Sequence, residues 1–183
     1  MKTRSFEASI PIGGAAPAFD LMGVDGQRHG LSSFSGQRLL VVFFTCNHCP
    51  YVIGWEPRIQ EICRKYAPAG VGFVGINSND SARYPQDSFA GMKERARAQQ
   101  IPYPYLHDES QAVARAYGAQ VTPEFFVFDA ERRLRFHGRL DDNHASPAAV
   151  TERFLEPALA ALLAGGEVPA SETEVEGCSV KWR

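Results

Sequence analysis

Six apolar residues in a row, Leu39-Leu40-Val41-Val42-Phe43-Phe44, stand out from the mixed pattern of the first fifty positions. An unbroken run of that length, rich in β-branched and aromatic residues, predicts a strand buried on both faces. Beyond it the period changes. Val52, Trp55, Ile59, Ile62, Cys63 and Tyr66 recur at intervals of three and four, which is one face of a helix, and Pro68 and Gly70 end it. Val71 to Ile76 predicts a second buried strand. Strand, helix and strand in succession make a βαβ unit, whose crossover is right-handed in nearly all known cases.

Upstream, Phe19 to Met22 and Gln27 to Leu31 flank the turn signal Val24-Asp25-Gly26 and predict a small hairpin. Downstream, the pattern predicts a helix from Gln86 to about Gln100, a short strand near Tyr105-Leu106, and a helix over Ser110 to Tyr117 stopped by Gly118. Phe125 to Phe128 and Leu134 to Gly138 predict two strands joined by a turn at Asp129 to Arg132. Ser146-Pro147 reads as N-cap and first residue of a last helix running to about Ala164, bent at Pro157. The expected organisation is one α/β domain over residues 1–183, with a central mixed sheet and helices on both faces. It carries an N-terminal hairpin extension (1–37), an inserted helix–strand (78–104) and a C-terminal tail (165–183).

Composition changes this picture little. The 183 residues are 44% hydrophobic and 22% charged, with a net charge of −2 and no basic block. That leaves no electrostatic footprint for nucleic acid or a membrane surface. No apolar window reaches the length of a membrane span. The start MKTRSFEASIPIGG lacks an apolar segment after its basic residues, so a cytoplasmic location is expected. Four cysteines are too few for a disulfide scaffold, and a close pair in a reducing compartment points to catalysis or metal binding.

That pair lies in Phe44-Thr45-Cys46-Asn47-His48-Cys49-Pro50, where the buried strand ends and the helix begins. Free N–H groups and the positive end of a helix dipole favour an anion there. A thiolate at such a place has a lowered pKa and becomes a nucleophile. Cys46 is expected to attack a disulfide and Cys49 to resolve the mixed disulfide. A cationic His48 between them would stabilise the thiolate further. Pro50 directly after Cys49 places the start of regular helix near Cys49. Thr122-Pro123 precedes the Phe125 strand, where a proline belongs, since it cannot donate to a sheet ladder.

With these residues in hand, the chain resembles the thioredoxin superfamily in its peroxiredoxin-like and TlpA-like branch. The resemblance runs from about Gly13 to Leu140. Its landmarks are Ala16-Pro17-Ala18-Phe19-Asp20-Leu21, the loop through Phe34-Ser35-Gly36, the strand before the cysteines, and Val121-Thr122-Pro123. The ending Gly177-Cys178-Ser179-Val180-Lys181-Trp182 is similar to that of a bacterial subgroup of this branch. The resemblance implies a thioredoxin fold, Cys46 as nucleophile, Cys49 as resolver and Pro123 as a cis proline beside which Thr122 binds substrate. It implies no organic cofactor. The partners it implies are a disulfide-bearing protein or small thiol substrate and a reducing dithiol. Two positions depart from the family pattern. The dipeptide between the cysteines is Asn-His where thioredoxin has Gly-Pro. Leu40 stands where thioredoxins carry a buried aspartate, so Glu124 is expected to take over that tuning role.

Two rivals belong to other classes. A peroxiredoxin-like thiol peroxidase would place Pro and Thr seven and three residues before its cysteine. Counting back from Cys49 gives Val42 and Cys46, and from Cys46 gives Leu39 and Phe43, so only Thr45 beside Cys46 remains as a variant tuning residue. A Cu(I) or zinc carrier would use the same CxxC spacing as half a site, with no second half in the sequence, and no metal is expected. Cys63 shares an apolar helix face and reads as a small core residue. Cys178 has two readings, a packed cysteine on an edge strand or a third redox cysteine folded back on the pair. Asp141-Asp142-Asn143-His144 reads as a polar loop.

Overall fold

The computed structural model describes residues 2–5, by backbone alone, and 10–183. Part of the N-terminal stretch read above for a leader therefore lies outside the described residues. The expected run Leu39–Phe44 forms β4, completely buried, at the heart of a seven-stranded mixed sheet. Its neighbours are β5 (Val71–Asn77), parallel, and β8 (Glu124–Phe128), antiparallel. Beyond β5 lie β6 (Tyr105–His107), β2 (Asp20–Gly23) and β3 (Arg28–Gly30), and beyond β8 lies β9 (Leu134–Gly138). β2 and β3 are the predicted hairpin.

Strand alternation divides the core in two. Leu39, Val41 and Phe43 face one layer, where Trp55, Ile59 and Ile62 of α1 (Pro50–Tyr66) and Leu155 and Leu159 of α4 (Leu155–Leu163) pack. Leu40, Val42 and Phe44 face the other, with Val113, Ala114 and Tyr117 of α3 (Ala112–Tyr117). This is the mixed sheet with helices on both faces that the resemblance implied. Among the described residues no helix is long and apolar enough to cross a membrane.

Three elements differ from expectation. The inserted helix α2 is Phe89–Ala98, three residues shorter at its start, because the Ser88 hydroxyl accepts the Gly91 N–H at 3.2 Å and sets the cap there. The last helix does not start at Pro147. Residues Pro147–Ala149 form one 3-10 turn, and the chain then runs back against 140–142, with Asp142 N bound to Glu152 O and Phe154 N to Leu140 O. The helix begins only at Leu155, so Pro157 lies in its first turn, where a missing N–H costs nothing, and it bends nothing. Finally the tail is ordered into a second sheet. β10 (Val175–Ser179) is its middle strand, antiparallel to β1 (Lys2–Ser5) on one side and to β7 (Val121–Thr122) on the other.

Candidate active site

The segment 45–49 links β4 to α1. Thr45 N–H continues the sheet by donating to Ile76 O at 2.8 Å, and its methyl group faces Gly75. Cys49 is the N-cap of α1 and Pro50 its first residue, the start expected from the sequence. Both sulfurs lie under Thr122. Cys46 Sγ is 3.4 Å from Thr122 Oγ1, and Cys49 Sγ lies 3.3 Å from Thr122 O, to which it donates when protonated. The Thr122–Pro123 bond is cis, as the resemblance implied.

The two thiols interact, and their interaction drives their pKa values apart. The Cys49 thiol is pulled down to about 4, first by the hydrogen bond from Cys46, then by the Cys178 thiol and by the amides of Val52 and Cys178, against the opposing effect of burial. The Cys46 thiol is pushed well up, by that same hydrogen bond, by burial, and by the negative charges of Asp87 and Cys49. The lowered pKa expected for Cys46 therefore falls on Cys49 in the reduced, closed site. The first cause is the interaction of the two thiols with each other, tipped toward Cys49 by the Cys178 thiol and the amides of Val52 and Cys178, and away from Cys46 by burial and the Asp87 carboxylate.

That carboxylate, Asp87, is the residue the sequence reading missed. It is 0% exposed and stands on the turn before α2. Its oxygens accept from Asn47 N–H at 2.7 Å, Asn77 Nδ2 at 3.1 Å and Asn79 Nδ2 at 2.9 Å. His48 Nδ1 stands 2.7 Å from Asp87 Oδ2, and the His48 ring stacks on Tyr84 with centroids 5.4 Å apart. Asn47 is held from its other side by Tyr105, whose hydroxyl donates to Asn47 Oδ1 at 2.7 Å. The Asn-His dipeptide is thus bolted to the insertion, and His48 faces Asp87. An acidic residue forty positions away, next to a helix start, looks in sequence like an ordinary first-turn charge.

Cys46 Sγ, His48 Nδ1 and an Asp87 oxygen lie within 4.8 Å of one another, the one such group of three among the described residues. A metal there would have to compete with the three hydrogen bonds that the Asp87 oxygens already accept from Asn47, Asn77 and Asn79.

Glu124 is elsewhere. Strand alternation sends it to the face of Phe126 and Phe128, under the sheet. Its carboxylate accepts Gln120 N–H at 2.7 Å and Val121 N–H at 3.1 Å and pairs with His137 Nε2 at 2.7 Å. Among the described residues no hydrogen bond joins it to a cysteine, so it shapes the loop before Pro123 and does not reach the sulfurs. Cys63 is a core residue, its thiol pushed up to about 11 by burial. The Asp141–His144 loop is structural: Asp141 takes Trp55 Nε1 at 2.6 Å and pairs with Arg58, and the His144 ring lies 3.9 Å from that of Tyr51. Cys178 joins the cysteines. It packs against Cys46, Cys49 and Val52 from β10, opposite Thr122.

Comparison with known proteins gives the family and the fold. A family model described as AhpC/TSA family matches residues 12–137. The chain is 29% identical over 119 residues to a chloroplastic peroxiredoxin Q of Suaeda salsa, covering 63% of this chain and 52% of that protein, so it spans about half the length of such curated relatives. A crystal structure of an uncharacterized conserved protein from Geobacillus kaustophilus superposes with a TM-score of 0.92 at 39% identity, covering 100% of this chain and 97% of that one. A thiol:disulfide interchange protein of the thioredoxin family from Chlorobium tepidum TLS superposes with a TM-score of 0.57 at 25% identity, covering 67% of this chain and 83% of that one. The fold is the thioredoxin fold.

Proposed function

Because the chain belongs to the AhpC/TSA family of the thioredoxin superfamily, we propose that it is a thiol–disulfide oxidoreductase working through Cys46 and Cys49. One observation carries this reading: where α1 begins, the two sulfurs lie together beneath Thr122, Cys46 Sγ 3.4 Å from its Oγ1 and Cys49 Sγ 3.3 Å from its carbonyl oxygen. The hydrogen bond between them lets the proton cross from Cys46 to Cys49. Cys49 caps α1 while Cys46 stands before it in the loop, and the resemblance assigns the attack to Cys46, so Cys46 meets the substrate. Its thiolate attacks a substrate disulfide, and one substrate sulfur leaves as a thiolate and takes up a proton. Cys49, ionised in turn, attacks the Cys46 sulfur, closes the Cys46–Cys49 bridge and releases the second substrate thiol. The substrate gains two electrons, and a reducing dithiol restores the pair. His48 and Asp87 hold the loop that carries Cys46.

Peroxide reduction is the second reading, supported by the relatives named peroxiredoxin Q. The missing frame weighs against it, since neither Cys46 nor Cys49 has a Pro seven and a Thr three residues before it. Thiol trapping with peptide mapping across glutathione redox buffers separates the two. The expected result is joint conversion of Cys46 and Cys49 to an intramolecular bridge, and a mixed disulfide on Cys46 in the Cys49→Ser variant. Closure of no bridge, with sulfenic acid on Cys46 under peroxide, would overturn the exchange reading. A mixed disulfide found only on Cys49, in Cys46→Ser, would overturn the assignment of attack.

A further inference from the structure

The edge of Thr122, where the resemblance places a substrate, is already taken by the chain's own tail. In β10, Cys178 pairs with Thr122 and Ser179 with Val121, and the ladder continues with Val180 N–H to Gln120 O at 2.9 Å. The approach is close enough to require glycine next to the cysteine. A Cβ on Gly177 would stand 2.8 Å from the Thr122 carbonyl carbon and nearer still to its oxygen. The strand is also fixed beyond its end. Lys181 N–H donates to Asn79 Oδ1, and Gln111 Nε2 donates to Lys181 O, both at 2.9 Å. An extended peptide therefore finds no free edge at Thr122.

This placement presents a thiol to the pair. Cys178 offers Cys49 both its amide and its thiol, so Cys49 is the central sulfur of three, with Cys46 on one side and Cys178 on the other. Cys46 and Cys49 are buried, and Cys178 is the partly buried member, the more open of the three.

We propose that Cys178 is a third redox cysteine, a built-in exchange partner of Cys49 that carries the disulfide between the buried pair and small thiols outside. The proposal rests on the exchange reading above. With the Cys46–Cys49 bridge closed, the Cys178 thiolate attacks the Cys49 sulfur. A Cys49–Cys178 bond forms, the Cys46–Cys49 bond breaks, and Cys46 leaves as a thiolate that takes the proton Cys178 gave up. No electrons enter or leave in this step. An external thiolate then attacks the more open Cys178 sulfur and Cys49 leaves. A second external thiol completes the reduction, and the two external thiols end as a disulfide.

The test is oxidation of the full chain by glutathione disulfide, with non-reducing peptide mapping, for wild type, Cys46→Ser and Cys178→Ser. The expected result is a Cys49–Cys178 bridge as the main product in Cys46→Ser. In Cys178→Ser the Cys46–Cys49 bridge should still close, but its reduction by glutathione should slow at least tenfold. Wild type quenched in acid at half-oxidation should yield both bridges, which guards against a variant that fails to fold. Glutathione adducts without a Cys49–Cys178 bridge in Cys46→Ser and in quenched wild type, while wild type closes Cys46–Cys49, would overturn this proposal alone. Wild type that closes neither bridge would overturn the exchange reading as well.

Discussion

Replacing Gly177 by alanine tests the seating of the tail strand on Thr122. The added Cβ would stand 2.8 Å from the Thr122 carbonyl carbon and 3.3 Å from its nitrogen. Comfortable carbon–carbon separations are about 3.5–4.0 Å. Thr122 cannot yield, because it is buried, its carbonyl accepts from Cys49 and its hydroxyl meets Cys46. β10 must therefore lift. Overpacking of this kind costs about 1–3 kcal/mol. The lost freedom of the unfolded chain returns about 0.4–1 kcal/mol. At mid-range the net loss is about 1.3 kcal/mol, which corresponds to roughly 3–5 °C in Tm for a chain of this size. Gly36→Ala is the matched control, since a Cβ there meets nothing within 4 Å, and it should leave Tm unchanged or slightly raised. Thermal melts of the reduced proteins, with maleimide labelling of Cys178, provide both readouts. Labelling should be faster in Gly177→Ala, as the strand leaves the sulfur cluster. If Gly177→Ala melts at or above wild type while Gly36→Ala behaves as stated, the tail does not rest on Thr122 and the argument for Cys178 loses its geometry.

The remaining predictions concern the charges around the pair. Thiolate absorbance of the reduced protein should show a step near pH 4, absent in Cys49→Ser, and a first step near pH 9 instead would refute the charge assignment. Since the folded value lies below the ordinary 9.0, the Cys49 share of stability is complete above pH 9 and declines as pH falls toward 4. Asp87→Asn, in a Cys49→Ser background, should lower the Cys46 thiol pKa and speed its alkylation at pH 7, because a buried negative charge is removed. The same change should cost about 1.5–3 kcal/mol for each charge-assisted hydrogen bond it loses, read from urea melts. Glu124→Gln should destabilise the protein by about 1–3 kcal/mol through its buried contacts with His137 and two amides. It should move the Cys46–Cys49 midpoint by less than ~30 mV, and a larger shift would return Glu124 to the tuning role expected from the sequence.

Much of the frame was legible because its signals are local. The period of Leu39 to Phe44, and then of Val52 to Tyr66, needs only neighbours a few positions away to be read. Pro50 after Cys49 placed the helix start, and that start decides where the dipole acts. Local signals also misled. Ser146-Pro147 has the form of a cap, yet pairing of 150–154 with 140–142 outweighed it, and the helix waited for Leu155. Capping is worth about 1 kcal/mol, and a backbone ladder exceeds that easily.

The sequence by itself determined which atoms can react. It put two thiols three positions apart at a strand–helix junction and a proline before the strand that would face them. It could not say which thiol carries the charge, because that depends on Asp87 and on Cys178, forty and some one hundred and thirty positions away. It could not place Glu124, because one step of strand alternation separates the face of the sulfurs from the face of His137. It left Cys178 with two readings because a polar tail has reach without direction. The tertiary structure supplied the direction, through a glycine narrow enough to lie on Thr122 and a strand register that sets Cys178 opposite it. Electrostatic fields and strand pairing act through space, and only the folded chain brings their sources together.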